Sequence, residues 1–180
     1  MTKIINLYGG PGSCKSSTAA YLFYLLKKNN KKVELVQEYV KEWVWEDRKI
    51  NPFDQIYFFG KQVRKESMLF GKVDYIITDS PVLLGLCYIQ KCCDYEIFLG
   101  LAETAKAFYN VSPRHNVEHI HIVLKRVGKF EQAGRLHSEE ESVKIDSEIT
   151  KLLTDYNFNY IESSYDENEL NSLFYEKILK

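Results

Sequence analysis

The sequence predicts a three-layer α/β fold built on a parallel sheet of five strands, and three observations carry that expectation. Short β-branched runs alternate with longer segments of helical spacing, the order in which successive βα units of a parallel sheet follow one another. The runs are continuously apolar, as strands covered on both faces are. With 180 residues, 45% of them hydrophobic and 27% charged, the chain makes one domain with a sizeable core, so a second catalytic domain is not expected and global disorder is excluded.

The opening run Lys3–Tyr8 is the first expected strand. A glycine-rich turn leads from it into Lys15–Lys28, where Ala19, Leu22, Phe23, Leu25 and Leu26 recur at helical spacing and the closing lysines complement the negative end of a helix dipole. Val33–Val36 is the second strand and Glu38–Glu46 a second helix. Asn51-Pro52 punctuates the chain, and Phe53–Phe70 resumes as a helix on Ile56, Phe59, Val63 and Met68, closed by Gly71. Asp74–Thr78 is the third strand, ahead of helices over Val82–Lys91 and Tyr95–Tyr109, and His119–Leu124 is the fourth. Ser138-Glu139-Glu140-Glu141 opens a helix to Tyr156 with a capping box, since the serine oxygen and the third-position glutamate each satisfy an exposed main-chain donor. Asn159–Ile161 and a helix over Asp166–Leu179 complete residues 1–180 without repeat, low-complexity tract or linker.

Charge and cysteine usage narrow the function. Twenty-four basic and 25 acidic residues leave a net charge of −1, with a pI near 6.4, so no broad cationic face exists for a polynucleotide. No apolar run approaches the roughly 18 residues that span a bilayer, and the chain opens on a strand pattern where a leader would carry charge, so a soluble cytoplasmic protein is expected. Cys14, Cys87 and the vicinal Cys92 and Cys93 lack zinc-site spacing and read as reduced thiols. His115, His119, His121 and His137 form no metal or catalytic set.

Gly9-Gly10-Pro11-Gly12-Ser13-Cys14-Lys15-Ser16-Ser17 sits between the first strand and the first helix. It follows the phosphate-loop pattern G-x-x-x-x-G-K-[ST] from Gly9 to Ser16, with Cys14 in place of the second glycine. Such a loop wraps phosphates in main-chain N–H groups at the positive end of a helix dipole. Gly10, Gly12, Ser13, Cys14, Lys15, Ser16 and Ser17 are the expected phosphate-binding residues, with Lys15 on the outer phosphates and Ser16 offering its hydroxyl to magnesium. Cys14 reads as a tolerated substitution in backbone that is already helical, since the positive-φ demand falls on other glycines. The fold class thereby sharpens to a P-loop NTPase fold.

Two carboxylates follow strands, at the sheet edge where open α/β folds bind ligands. Glu38, beyond the second strand, would accept a proton from a substrate hydroxyl. Asp79, ending Ile76-Ile77-Thr78-Asp79-Ser80-Pro81, would hold magnesium in a Walker-B-like arrangement. Each also reads as a helix-terminal carboxylate or cap.

The Gly-Gly opening of the loop, the Glu38-Tyr39-Val40 segment, the helix bearing Gln55 and Gln62, and Asp79-Ser80-Pro81 together resemble a P-loop kinase of the nicotinamide riboside kinase-like AAA family, with features shared by deoxynucleoside and thymidylate kinases. In deoxynucleoside kinases the glutamate after the second strand is the general base, and their E-P-V-x-x-W pattern is similar to Glu38 through Trp43, with Tyr39 replacing the proline. The resemblance implies ATP- and magnesium-dependent phosphoryl transfer to a nucleoside or nucleotide. The glycine-containing basic segment 125–137 then reads as a short lid whose Arg126 and Arg135, with Lys129, stabilise the migrating group. The acceptor pocket is expected between the Glu38 helix and the Phe53–Phe70 helix, from Trp43, Gln55, Gln62 and Arg64, with Tyr57, Phe58 and Phe59 as stacking surfaces or core. The competing readings are a non-catalytic nucleotide-binding module whose loop Cys14 has impaired, and a simple ATPase. The Tyr- and Phe-rich middle also offers a face for a homodimer.

Overall fold

The computed structural model describes residues 1–127 and 138–179. Five strands, β1 (Thr2–Tyr8), β2 (Val33–Val36), β3 (Tyr75–Thr78), β4 (Val117–Leu124) and β5 (Tyr160–Ser163), form an all-parallel sheet in the order β2-β3-β1-β4-β5. The helices are α1 (Lys15–Lys28), α2 (Val40–Trp45), α3 (Asp54–Ser67), α4 (Val82–Cys92), α5 (Tyr95–Val111), α6 (Glu139–Asp155) and α7 (Glu167–Leu173). Parallel pairing requires every connection to cross back over the sheet, so all five strands deliver their carboxyl ends to one edge.

The side chains of β1 divide the core. Ile5 and Leu7 pack with Leu22 and Leu26 of α1 and with Leu170 and Phe174 at the carboxyl end. Tyr8 points to the opposite face, where Leu83, Leu86, Ala105, Ile145 and Ile149 bring α4, α5 and α6 together. Two apolar layers around one sheet give the expected three-layer arrangement. The capping box at α6 is formed, with Glu141 N–H donating to Ser138 Oγ at 3.2 Å and Ser138 N–H to Glu141 Oε2 at 2.8 Å.

Most boundaries shift by one to three residues, the third helix ending at Ser67 and the fourth strand starting at Val117, and two of the differences have local reasons. The second helix starts at Val40, so Glu38 precedes it as part of the connection from β2 and is not in its first turn. The last helix gives way after Leu173 to a π-helical turn, Phe174–Ile178, closed by Leu179 N–H to Phe174 O at 2.9 Å. The wider turn keeps both Phe174 and Ile178 fully buried while Tyr75 OH donates to Ile178 O at 3.0 Å. Most of the expected lid, including Lys129 and Arg135, lies outside the described residues. Among those described, no helix is long and apolar enough to cross a membrane.

A polar strip runs through the α5-side core. His119 Nε2 pairs with Ser112 Oγ at 2.9 Å, and that hydroxyl donates to Phe108 O at 2.8 Å, so Nε2 carries the ring proton and Nδ1 accepts from Asn6 Nδ2 at 3.3 Å. His121 Nδ1 meets Tyr8 OH at 2.9 Å. Burial lowers His119 to a pKa of about 3, helped by His121, and lowers His121 to about 4. Glu66, fully buried on α3, is pushed up to about 8 by loss of water, opposed by bonds from Gln62, Thr78 and the Val82 main chain.

Linkage then fixes two signs. The histidines stabilise the fold above pH about 6.5 and lose that contribution as pH falls toward 3–4. Glu66, neutral in the fold, contributes fully below its unfolded value near 4.5 and loses that contribution as pH rises to about 8. Glu66→Gln keeps the shape and cannot ionise, so between pH 5 and 8.5 wild type should lose on the order of 4 kcal/mol relative to the variant. Denaturant titrations at the two pH values check this, and parallel curves for the two proteins would refute it.

Candidate active site

The loop between β1 and α1 is shaped by close approach. Gly9 has φ +150°, and a Cβ there would lie 2.7 Å from Ser13 Cβ. Gly12 has φ +88°, which an L side chain rarely adopts. Cys14 departs from the sequence expectation: its backbone is left-handed, φ 58° and ψ 25°, and not helical. The chain must reverse there to start α1, and Thr18 N–H closes the first turn on Cys14 O at 2.9 Å. A non-glycine residue in this conformation costs about 1–2 kcal/mol. The sequence places glycine's job at this position on a thiol.

Lys15 curls back over the loop, its Nζ donating to Gly9 O at 2.6 Å and Gly10 O at 3.1 Å. Burial lowers its pKa, against the opposing pull of Glu38, Asp79 and Asp146. One residue on, Ser16 Oγ donates to Asp79 Oδ2 at 2.8 Å. The other oxygen of Asp79 accepts the Glu38 N–H at 3.1 Å. Asp79 itself is buried at the end of β3. The start of α1 and the ends of β2 and β3 are thus joined through one carboxylate.

Glu38 keeps part of its surface in solvent, yet the surrounding protein raises its pKa by desolvation, with Lys15 opposing and Asp79 reinforcing. An acid tuned upward beside a lysine is suited to receiving a proton during turnover. The metal-binding capacity fits a hard cation: Ser16 and Asp79 offer one hydroxyl and one carboxylate, an all-oxygen pair that suits magnesium with phosphate oxygens and water completing its shell. Among the described residues no cluster of three or more His, Cys, Asp or Glu side chains would hold a metal without a bound nucleotide. The N–H groups of Lys15, Ser16 and Ser17, in the first turn of α1, have no intrahelical acceptor and leave donors for an anion.

Beyond Glu38, α2 and α3 meet through rings. Trp43 packs edge-on to Phe58 at 4.8 Å and 88°, with the Arg48 guanidinium 5.0 Å from its ring centroid. Tyr39 OH and Tyr57 OH are 3.0 Å apart, and Lys61 and Lys65 lie over the Tyr39 ring. Gln55 is half-buried at the start of α3 and Arg64 is exposed on it. Gln62 is turned inward, its Nε2 donating to Glu66 Oε1 at 3.1 Å and Thr78 Oγ1 at 3.2 Å, so its amide braces the end of β3 and does not face the α2–α3 surface.

One participant escaped the sequence. Asp146 of α6 reaches the loop, its Oδ1 accepting the Gly10 N–H at 2.5 Å. Its Oδ2 pairs with Arg126 Nη2 at 2.9 Å, and Arg126 Nη1 donates to Pro11 O at 2.7 Å. Arg126, expected as a mobile lid residue, is therefore packed against the loop. The only signal for Asp146 is its place four residues beyond buried Ser142 and next to buried Ile145, at the border of the core-facing side of α6.

By sequence, no family model and no curated protein matches the chain. Its fold is that of P-loop kinases. It is similar to the NadR protein in complexes with NR and with NAD and AMP-PNP, at TM-scores of 0.73 and 0.72, 12% identity, and over 99% of this chain. The alignments cover 52% and 50% of the NadR chains, so this chain spans about half their length. Deoxyadenosine kinase from M. mycoides aligns at 0.59 and 14% identity over 96% of this chain and 97% of its own. Thymidylate kinase from Ehrlichia chaffeensis aligns at 0.60 and 13% identity, over 99% of both chains. The likeness to nicotinamide riboside kinase-like, deoxynucleoside and thymidylate kinases drawn from the loop and its following motifs is borne out in the fold.

Cys14→Gly should relieve the left-handed strain and raise the melting temperature by about 2–4 °C, the shift that roughly 1 kcal/mol gives a protein of this size. Differential scanning calorimetry checks this; a lowered melting temperature would show that the thiol's packing outweighs the backbone strain.

Proposed function

We propose that the protein is an ATP- and magnesium-dependent kinase that phosphorylates a nucleoside- or nucleotide-like acceptor in the cytoplasm. The observation that carries this reading is the junction of Ser16, Asp79 and Glu38 beside Lys15, because it sets a phosphate-binding group, an oxygen pair and a proton acceptor at one edge of the sheet. A protein that only retained nucleotide would have no use for a carboxylate tuned upward in pKa next to the loop.

In this mechanism the loop N–H groups and Lys15 hold the donor phosphates in line with the acceptor. Magnesium, held by Ser16 and Asp79, would neutralise charge on the phosphate oxygens. The acceptor oxygen bonds to the terminal phosphorus as the bond to the bridging oxygen of the leaving diphosphate breaks, and Glu38 takes the hydroxyl proton. The raised pKa makes Glu38 a better proton acceptor than an ordinary glutamate. Tyr39, Trp43 and Tyr57 supply faces for an aromatic base, and Lys61 and Lys65 the neighbouring positive charge. Arg135 is the expected further cation on the migrating group.

Labelled ATP with magnesium and a panel of nucleosides and nucleotides tests the reading. Acceptor-dependent transfer is expected. Tight binding without turnover would favour the nucleotide-binding module, for which the strained Cys14 speaks, and phosphate release without acceptor would favour an ATPase. Lys15→Ala should cost on the order of 10²–10³ in kcat/KM. The pH profile should rise through the Glu38 pKa, above the usual carboxylate value, and fall at alkaline pH as Lys15 deprotonates below its ordinary value. Glu38→Gln should remove the acid limb and lower kcat by about 10²–10⁴; a profile that kept that limb would clear Glu38 of the role.

A further inference from the structure

Asp146 and Arg126 bind the loop main chain itself, through hydrogen bonds separate from those that join Ser16, Asp79 and Glu38. Asp146 Oδ1 takes the N–H of Gly10, Arg126 Nη1 binds the carbonyl of Pro11, and the two side chains pair with each other at 2.9 Å. The result is a closed ring around consecutive residues, with the donor of one and the acceptor of the next both engaged. The Arg126 and Asp146 side chains are 15% and 29% exposed, so these charge-assisted bonds are only weakly screened. The fit leaves no slack: a Cβ on Gly10 would lie 2.5 Å from Ser142 O, 2.9 Å from Asp146 Oδ1 and 3.2 Å from Arg126 Nη2. The backbone of α6 therefore lies directly on the loop. Four residues further along that loop, Cys14 holds a left-handed conformation that is unfavourable for any residue with a side chain. Such strain persists only where the surroundings over-determine the local structure.

We propose that Asp146 and Arg126 form a clasp that sets the phosphate loop in its triphosphate-binding shape and offsets the absence of glycine at Cys14. Both are positioning residues. Arg126 acts through the Pro11 carbonyl and not on the migrating phosphoryl group, and a guanidinium suits this task because its fork can serve a carboxylate and a carbonyl at once. The triphosphate part of the proposal rests on the kinase reading; the shaping of the loop does not.

The test compares Asp146→Ala, Asp146→Asn and Arg126→Lys with wild type. Hydrogen exchange of the Gly9, Gly10, Gly12 and Ser13 amides is followed in nucleotide-free protein, and KM for ATP and kcat are measured with the acceptor found above. Asp146→Ala loses both bonds, so exchange should quicken about tenfold, KM for ATP should rise by a similar factor, and kcat should stay within about threefold. Asp146→Asn keeps an acceptor for Gly10 but loses the ion pair, so it should fall between wild type and Ala, as should Arg126→Lys, whose single ammonium cannot fork. Adding Cys14→Gly to Asp146→Ala should recover part of the lost protection. Unchanged exchange in Asp146→Ala and Asp146→Asn would overturn the clasp, and so would a loss confined to kcat. Where Asp146→Ala does not fold, the isosteric Asn variant decides. Should wild type phosphorylate nothing, the exchange measurements still decide the clasp, while the kinase reading alone falls.

Discussion

The site depends on one carboxylate held between a helix start and two strand ends. Asp79 receives the Ser16 hydroxyl on one oxygen and the Glu38 main chain on the other, so the start of α1, the end of β2 and the end of β3 are fixed relative to one another. A parallel sheet makes this possible because it stacks β2, β3 and β1 side by side with their carboxyl ends together. An antiparallel neighbour would send one of those ends to the far edge. Register matters as much as direction: Thr78 pairs with both Asn6 and Val36, so β2 and β3 leave the sheet at the same height while β1 runs on beside β4 to Tyr8.

Charge is distributed around this junction with little surplus. Glu38, Asp79 and Asp146 attract the Lys15 ammonium, while Arg126 repels it. Three carboxylates set against Lys15 and Arg126 leave the cluster short of one positive charge, and a hard cation on Ser16 and Asp79 would supply it. Lys15 meanwhile satisfies its ammonium on the carbonyls of Gly9 and Gly10. Phosphate oxygens would compete with those carbonyls as acceptors, and a charged acceptor makes the stronger bond. The lysine is thus kept desolvated and close at hand without being locked away.

The sequence carried the parts of this arrangement that are local. The helix at Lys15–Lys28 has the same limits in the structure as in the periodicity, because a glycine-rich turn starts it and a lysine-rich turn ends it. Ser138 and Glu141 formed their box because both partners lie within one turn. Lys15, Ser16, Glu38 and Asp79 were legible because each sits a fixed few residues past a strand, and parallel topology does the rest. Asp146 and Glu66 were not legible, since each acquires its role from a partner far away in the chain or from burial that no short pattern encodes. Gln62 was read as an acceptor-pocket residue because helical spacing alone cannot tell an amide that braces a strand from one that contacts a ligand. Cys14 was misjudged for a related reason: the pattern names the position but not the sign of φ, and only the path into α1 fixes that.

Support for the site continues below it, into the core. Thr78 Oγ1, one residue before Asp79, accepts from Gln62 Nε2 and from the Ser80 N–H at 3.3 Å, and Gln62 is in turn held by Glu66. Polar groups placed so deeply cost stability unless their partners are complete, so cores use them sparingly. Here the strip from Glu66 to Thr78 fixes the direction in which β3 ends, and Asp79 can bind two donors only if that direction holds. An apolar replacement of the same volume would pack as well and leave the Asp79-Ser80 turn to choose among several conformations. The core is therefore less oily than a maximally stable one would be at the point where the chain has to place its carboxylate most accurately.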